Sequence, residues 1–369
     1  LAPSFYEFFA GGGMARAGLG AGWTCLFAND VDEKKARSYR VNWGGEALIV
    51  RDICALSAAD LPGRADLAWG SFPCQDLSLA GAGAGLNGAR SGTFHAFWRL
   101  IARLAAGGRA PSLVVLENVC GALTSRGGAD FAAICQTFAE HGYRLGPLVM
   151  DAADFTPQSR PRLFLVGVRE GVAIDPALVS EAPTMAAHTP ALRRAVAAAG
   201  LEAIWWALPA PSKHNLSLAN VIEDDSSAMR WHTSVQTRRI LDLMSVVNRE
   251  KVRAAQARGG RAVGAVYRRT RIDAAGRRVQ RAEVRFDGVA GCLRTPAGGS
   301  SRQTLLVVDG GAVRSRLMSA RETARLMGLA DDYILPASAT EAYHLTGDGV
   351  VVDVVRHLAR RLLEPLLAR

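Results

Sequence analysis

The N-terminal stretch restricts the folds open to this chain more than any other segment. Residues 4–9 (Ser-Phe-Tyr-Glu-Phe-Phe) are an apolar-aromatic run that passes without a spacer into Ala10-Gly11-Gly12-Gly13-Met14-Ala15-Arg16-Ala17-Gly18-Leu19. Strand, glycine turn and helix in direct succession form the geometry of a nucleotide-type cofactor site. Glycines let the backbone approach a ligand, and a helix N-terminus favours an anionic group. The spacing Gly11-x-Gly13-x-x-Arg16 lacks the third glycine of the dinucleotide fingerprint, which argues against NAD or FAD.

Strand and helix patterns then alternate. Apolar runs at 24–28, 48–50, 65–69, 112–116 and 163–168 read as strands, and 94–105 and 130–141 as helices. The alternation predicts an α/β fold with a doubly wound, Rossmann-like sheet. Several strands end on residues with chemical potential. The second ends at Asn29-Asp30-Val31, about 20 positions after the glycine turn, where an acid can accept from ribose hydroxyls. Val31 offers an apolar face to an adenine, and Asp52, beside Ile53, can meet its amino group. Either aspartate is equally well explained as a helix cap. The strand at 65–69 leads to Ser71-Phe72-Pro73-Cys74-Gln75, where Pro73 restricts the backbone beside a thiol and a small-residue loop follows. A Pro-Cys pair by itself is more simply a buried structural cysteine. Glu117-Asn118-Val119 ends the strand at 112–116, which points a carboxylate into the crevice where such sheets bind ligands. Gln158, Arg160 and Arg162 alternate onto one face; the plain alternative is a surface strand with solvated arginines.

The 369 residues carry a formal net charge of +10, unevenly placed. Residues 230–294 hold 16 Lys and Arg against 5 Asp and Glu, so the remainder is close to neutral. A basic block of this kind points to a polyanion, above all nucleic acid, although only 4 of the 44 basic residues are lysine and an arginine-rich solvated surface is the bland reading. The strand–helix alternation lapses after residue 170, and residues 267–285 read as short basic strands joined by a turn at 273–276. A helical piece is predicted at 237–256, a loop at 288–303, and one amphipathic helix at 316–328 carrying Glu322. Two domains follow: residues 1–172 with 334–369, and a smaller, mostly irregular and β domain at 173–333. The six scattered cysteines form no CxxC pair or zinc pattern, so a reducing cytoplasm without disulfides or metal is expected. No apolar run is long enough to span a bilayer, and no secretory leader is visible. Leu1 is compatible with a lost initiator methionine or a short missing tail.

A thiol and a carboxylate beside an adenosine-type site suit covalent addition to a pyrimidine. The Cys74 thiolate adds to C6, Glu117 stabilises or protonates N3, and C5 becomes nucleophilic toward a methyl donor. A base in a duplex must leave the stack to reach such a crevice.

Together, Phe9-Ala10-Gly11-Gly12-Gly13, Pro73-Cys74-Gln75, Glu117-Asn118-Val119, Gln158-x-Arg160-x-Arg162 and the run from Arg316 to Gly328 resemble, in order, motifs of the DNA cytosine-5 methyltransferases of bacterial type. The resemblance covers most of the first 170 and last 55 residues. It implies S-adenosylmethionine as donor, Cys74 as nucleophile, Glu117 as its acidic partner, and Arg160 and Arg162 assisting at the base and its phosphates. Phe9, Ala10, Gly11, Gly13, Asp30, Val31, Asp52, Ile53, Pro73, Asp348 and Val350 would line the donor site. Gln75, Ser78, Arg90, Gln158, Arg268, Arg269, Arg271, Arg285 and Arg294 would contact double-stranded DNA, with the basic middle as target-recognition domain. The segment from Arg316 to Gly328 would be structural, at the domain junction. Two departures stand out. The family's last motif is usually Gly-Asn-x-Val, whereas Gly347-Asp348-Gly349-Val350 carries an aspartate, and Val31 stands where a large aromatic is common.

The expected enzyme is thus a bacterial, cytoplasmic, monomeric methyltransferase of specific duplex DNA, with a cognate restriction endonuclease admitted in the same system but no direct contact implied. The alternatives are a tRNA cytosine-5 methyltransferase of the same mechanism, which needs less recognition machinery, and a catalytically silent DNA-binding relative, which the intact Cys74 and Glu117 oppose. The two-cysteine scheme of other RNA cytosine-5 methyltransferases finds no second cysteine in matching context, although Cys120 is close in sequence. A dehydrogenase fits least.

Overall fold

The computed structural model describes residues 2–72, 93–212, 216–223, 230–273, 275–295 and 302–368. These fall into two compact units: 1–151 with 161–212 and 350–369, and 152–160 with 213–349. This division differs from the expected one at both ends of the insertion. Residues 173–212 pack with the first unit and 334–349 with the second. The first unit's sequence-local patterning had faded by residue 173, so only packing could assign that segment.

The first unit holds β1 (Ser4–Phe8), α1 (Met14–Leu19), β2 (Thr24–Asp30), α2 (Glu33–Trp43), β3 (Leu48–Val50), β4 (Leu67–Gly70), α3 (Thr93–Ala106), β5 (Leu113–Val119), α4 (Ala129–Glu140), β6 (Tyr143–Asp151), β7 (Pro161–Arg169) and α5 (Pro190–Ala198). Its seven-stranded sheet has the order β3-β2-β1-β4-β5-β7-β6. The strands β1 to β5 are parallel, and β7 alone runs against its neighbours. The order reverses between β1 and β4, so the crevice beyond their C-terminal ends is the topological switch point. Both faces are buried, which is why the strands read as continuous apolar runs rather than alternations. On one face Tyr6, Phe8, Ala68, Val114 and Leu116 meet Phe94, Phe97, Trp98, Ile101 and Leu104 of α3, an i, i+3, i+4 stripe. Phe5, Leu67, Trp69, Val115 and Phe164 are fully buried on the other. The strand β6 escapes sequence reading because Arg144, Gly146 and Pro147 break its apolar run.

The second unit adds α6 (Leu218–Val221), α7 (Ser234–Asp242), α8 (Val246–Ala257), β8 (Arg261–Ile272), β9 (Arg278–Arg285), β10 (Thr304–Asp309), β11 (Ala312–Leu317), α9 (Ala320–Leu326) and α10 (Ala339–Asp348). The chain then rejoins the first unit as α11 (Val352–Leu358) and, after a π turn over Ala359–Leu363, α12 (Glu364–Leu367). Pro365 has no N–H for the carbonyl four residues back, which accounts for the widened turn just before it. The antiparallel sheet β11-β10-β8-β9 is covered on one face by Ile240, Met244, Val252 and Ala255. Its edge strand β9 is shielded at Val284, whose N–H donates to Asn248 Oδ1 (2.9 Å) and whose carbonyl accepts from Lys251 Nζ (3.3 Å).

Two expected helices are corrected here. The segment 237–256 is two helices separated by Leu243–Ser245, because Ser245 begins a new helix. The segment 316–328 is helical only over Ala320–Leu326, and Arg316 and Leu317 end β11. Ser319 caps α9 in a capping box with Glu322, which fixes the helix start there. Glu322 is fully buried and bidentate to Arg316 (2.6 and 2.7 Å), and it accepts from the Glu223 and Ser319 amides, both at 2.7 Å.

Candidate active site

The glycine turn leaves β1 with three residues in the left-handed region: Phe9 (φ 57°), Gly11 (φ 55°) and Gly13 (φ 77°). For an aromatic residue that conformation is strained, and the surrounding bonds hold it. Ala10 N donates to Asn29 O (2.8 Å) and Gly11 N to Asp30 Oδ2 (2.7 Å). Asp30 also accepts from Asp32 N (2.8 Å), so its carboxylate is fixed by two amides at the end of β2. A Cβ at Gly13 would lie 2.4 Å from Trp43 Nε1, which itself donates to Gly12 O (2.9 Å). Arg16 donates to the Tyr39 hydroxyl (3.0 Å), with its guanidinium carbon 5.2 Å from the Trp43 ring centroid.

Behind the turn, Glu7 is buried and accepts from Arg16 N (3.2 Å), and burial pushes its carboxyl up to about 8. Its Oε2 is buried without a hydrogen-bond partner. Val31 is 69% exposed beside Asp30, a free apolar face. Asp52 accepts from Cys54 N (2.8 Å) and so does cap a short helical turn. The Ile53 side chain belongs to the core, and Val350 is buried ahead of α11. A fixed carboxylate, an exposed apolar face and a glycine turn at the C-terminal ends of β1 and β2 fit a nucleoside-bearing ligand.

Farther along the sheet, Glu117 near the end of β5 faces Arg162 near the start of β7. Val119 pairs with Arg162, which places Glu117 on the diagonal, and Arg162 Nε lies 3.2 Å from Glu117 Oε1. Both side chains are largely buried, at 15% and 8% exposure, so the ion pair is held in a dry setting. Asn118 Nδ2 donates to Phe72 O (3.2 Å), tying the end of β5 to the residue just before Pro73. From the sequence alone, Asn118 and Asn29 carry no assigned role of their own. Asn29 Nδ2 bridges to Ile49 O (3.0 Å) and Arg51 O (2.8 Å). An Asn adjoining an acid at a strand end, in Asn29-Asp30 and again in Glu117-Asn118, is the signal that was available. Burial pushes the neighbouring Cys120 thiol up to about 11, with Arg162 opposing, so it is protonated at neutral pH. Pro73, Cys74, Gln75, Ser78 and Arg90 lie outside the described residues.

In the second unit two of the expected site residues are engaged by backbone groups. Gln158, expected at DNA, is fully buried: it donates to Leu326 O (2.9 Å) and accepts from Leu293 N (3.0 Å). Arg160, expected at the base, is only 2% exposed and donates to the carbonyls of Leu293, Gly347 and Gly349, each at 2.8 Å. Those bonds direct its guanidinium at backbone within its own unit. Asp348 accepts from the Thr295 hydroxyl, and a Cβ at Gly347 would lie 2.8 Å from Thr295 N. The arginines at 268, 269, 271 and 294 are exposed, whereas Arg285 is half-buried and paired to Asp287.

The sheet and the residues at its switch point define a Rossmann-like α/β enzyme of the methyltransferase class. The chain belongs to the C-5 cytosine-specific DNA methylase family, whose profile matches residues 4–364. It is therefore a DNA (cytosine-5)-methyltransferase, built on the fold of the S-adenosylmethionine-dependent methyltransferases. Similar curated proteins include the Type II methyltransferase M.HpaII of Haemophilus parainfluenzae, 24% identical over 98% of this chain and 90% of the relative. The Type II methyltransferase M.NgoFVII of Neisseria gonorrhoeae is 26% identical over 98% of this chain and 86% of its own. Among solved structures, the Entamoeba histolytica methyltransferase EhMeth superposes over the whole of both chains (TM-score 0.64, 13% identity). The S. pombe Dnmt2 methyltransferase covers 99% of each (TM-score 0.61, 17% identity). At these identities the structural likeness concerns the fold.

Proposed function

We propose that the chain methylates C5 of a flipped cytosine in a specific duplex sequence through a covalent adduct between Cys74 and C6. The observation that carries this is the Glu117–Arg162 pair where β5 ends and β7 begins, with Asn118 anchoring the backbone that enters Pro73-Cys74. The Cys74 thiolate forms the S–C6 bond, and the ring electrons move toward N3, where Glu117 holds or supplies a proton. Arg162 fixes the Glu117 carboxyl and presents a cation beside the base. S-adenosylmethionine, when bound, supplies an electrophilic methyl group. Once C5 carries it, the C5 proton passes to solvent, the C6–S electrons return to Cys74 as thiolate, and N3 gives its proton back to Glu117, which restores the aromatic ring.

Asp30 would accept from the donor's ribose hydroxyls through lone pairs not used by Gly11 and Asp32. Phe9 to Gly13 and Val31 would line its adenosine, with Asp52 at the adenine edge and Val350 behind. Asp348 is better suited to fixing the Leu293–Thr295 segment through Thr295 than to holding the donor. The second unit, with its exposed arginines, would be the target-recognition unit. We further propose a monomer acting on chromosomal DNA in a bacterial cytoplasm, with or without a cognate endonuclease.

Bisulfite sequencing of host DNA after expression, beside a Cys74→Ser control, tests the reading. Methylated cytosines in one short context, absent with the control, are expected. Methylation that survives Cys74→Ser would sink the nucleophile, and none with a folded wild-type protein would sink the duplex-DNA activity.

A further inference from the structure

The hairpin β8–β9 sorts its arginines into two kinds. Tyr267 pairs with Glu283 and Arg269 with Arg281, so Tyr267, Arg269, Arg271, Arg281 and Glu283 share one face of the ribbon. Glu283 Oε1 accepts from both Nε (2.9 Å) and Nη2 of Arg271, and its Oε2 lies 3.5 Å from Arg269 Nε. The Arg269 guanidinium also sits 5.9 Å from the Tyr267 ring centroid. One carboxylate thus orients two arginines, each about half exposed. By contrast, Arg268, Arg278 and Arg281 are exposed and form no ion pair among the described residues.

The two kinds suit different parts of a duplex. A phosphate contact needs charge, and a carboxylate in the middle of the patch weakens the attraction. Orientation is what Glu283 adds. Side-on pairing through Nε and Nη2 leaves the Nη1/Nη2 edge of Arg271, with two parallel N–H donors directed away from the carboxylate. That fork matches O6 and N7 of guanine in the major groove, which admits a two-stranded ribbon. Positions two apart on a strand are separated by about 6.8 Å, close to two base-pair steps of about 3.4 Å.

We propose that Arg269 and Arg271, oriented by Glu283, read guanines no more than two base-pair steps apart in the recognised sequence, while Arg268, Arg278 and Arg281 hold phosphates. This rests on the reading of the second unit as the target-recognition unit.

The test is methylation of a randomised duplex library by wild type, Arg271→Lys, Glu283→Gln and the triple Arg268→Ala/Arg278→Ala/Arg281→Ala variant, scored by context, with the salt slope of DNA binding measured for each. Arg271→Lys keeps the charge and loses the fork. Its kcat/KM on the preferred context should fall about 5- to 150-fold, with guanine no longer required at one position and the salt slope unchanged. Glu283→Gln should tighten binding to unrelated DNA yet relax the context. The triple variant should lower the salt slope by up to about 3 and keep the context. Unchanged context with Arg271→Lys and Glu283→Gln, or a wild-type context with no guanine in reach, would overturn the inference and leave the activity standing. Absence of methylation in every duplex by the wild type would instead overturn the functional reading beneath it.

Discussion

Arg160 gives the sharpest test, because its backbone contacts and the role the resemblance implies for it predict different outcomes. The residue is only 2% exposed, and its guanidinium donates to three carbonyls at 2.8 Å, from two segments more than 50 residues apart in sequence, Leu293 and the Gly347–Gly349 turn. Hydrogen bonds to a charged group contribute roughly 1.5–3 kcal/mol each, and such contributions are not additive within one network. Truncation also strands two buried acceptors and one part-buried one, so Arg160→Ala should destabilise the second unit by about 3–5 kcal/mol. At about 1.4 kcal/mol per decade, the lower figure raises the local opening equilibrium by roughly 150-fold. Hydrogen exchange followed by mass spectrometry should show that acceleration in peptides covering 288–295 and 342–350. Arg160→Lys, which keeps the charge but cannot fork, should fall between. If Arg160→Ala exchanged like the wild type in those peptides and lost only turnover, the carbonyl-clamp reasoning would be refuted and a direct role at the base restored.

Three further outcomes are expected. Glu117→Gln should slow single-turnover chemistry far more than it weakens donor binding; lost donor affinity with normal chemistry would show that the residue is misassigned. Glu322→Ala should lower the second unit's unfolding free energy, read from denaturant curves, by about 3–5 kcal/mol by leaving buried Arg316 unpaired, whereas a loss below about 1 kcal/mol would mean the pair relaxes into solvent. Glu7→Gln concerns pH. The folded carboxyl is raised to about 8 from an ordinary value of 4.5, so between these values the folded state holds the proton more tightly than the unfolded one, and stability falls as pH rises. The glutamine isostere has no proton to lose, so its advantage over wild type should grow from pH 5 to pH 8; parallel stability–pH curves would show that Glu7 is ionised in the fold.

The first half of the molecule is written locally and could be read locally. The glycine turn, the acids at the ends of β2 and β5 and the stripe on α3 each follow from a few neighbouring residues, because a parallel sheet buried on both faces requires apolar strands with polar ends. The strand β6, broken by Pro147, and the split of 237–256 at Ser245 were hidden because packing outweighed local pattern there.

The sequence by itself determined that the chain is a doubly wound methyltransferase with Glu117 and Arg162 as candidate chemistry and a basic insertion. Only the tertiary structure decided what the arginines do. Alternation treats Gln158, Arg160 and Arg162 alike, yet Arg162 meets Glu117, while Gln158 and Arg160 are taken up by backbone groups more than 130 residues away. In the hairpin the arginine count likewise says nothing of partners, and Glu283 separates oriented forks from free charges. Charge is additive along a chain and legible from composition. Orientation depends on which distant carbonyl or carboxylate folding brings within about 3 Å, and only packing sets that.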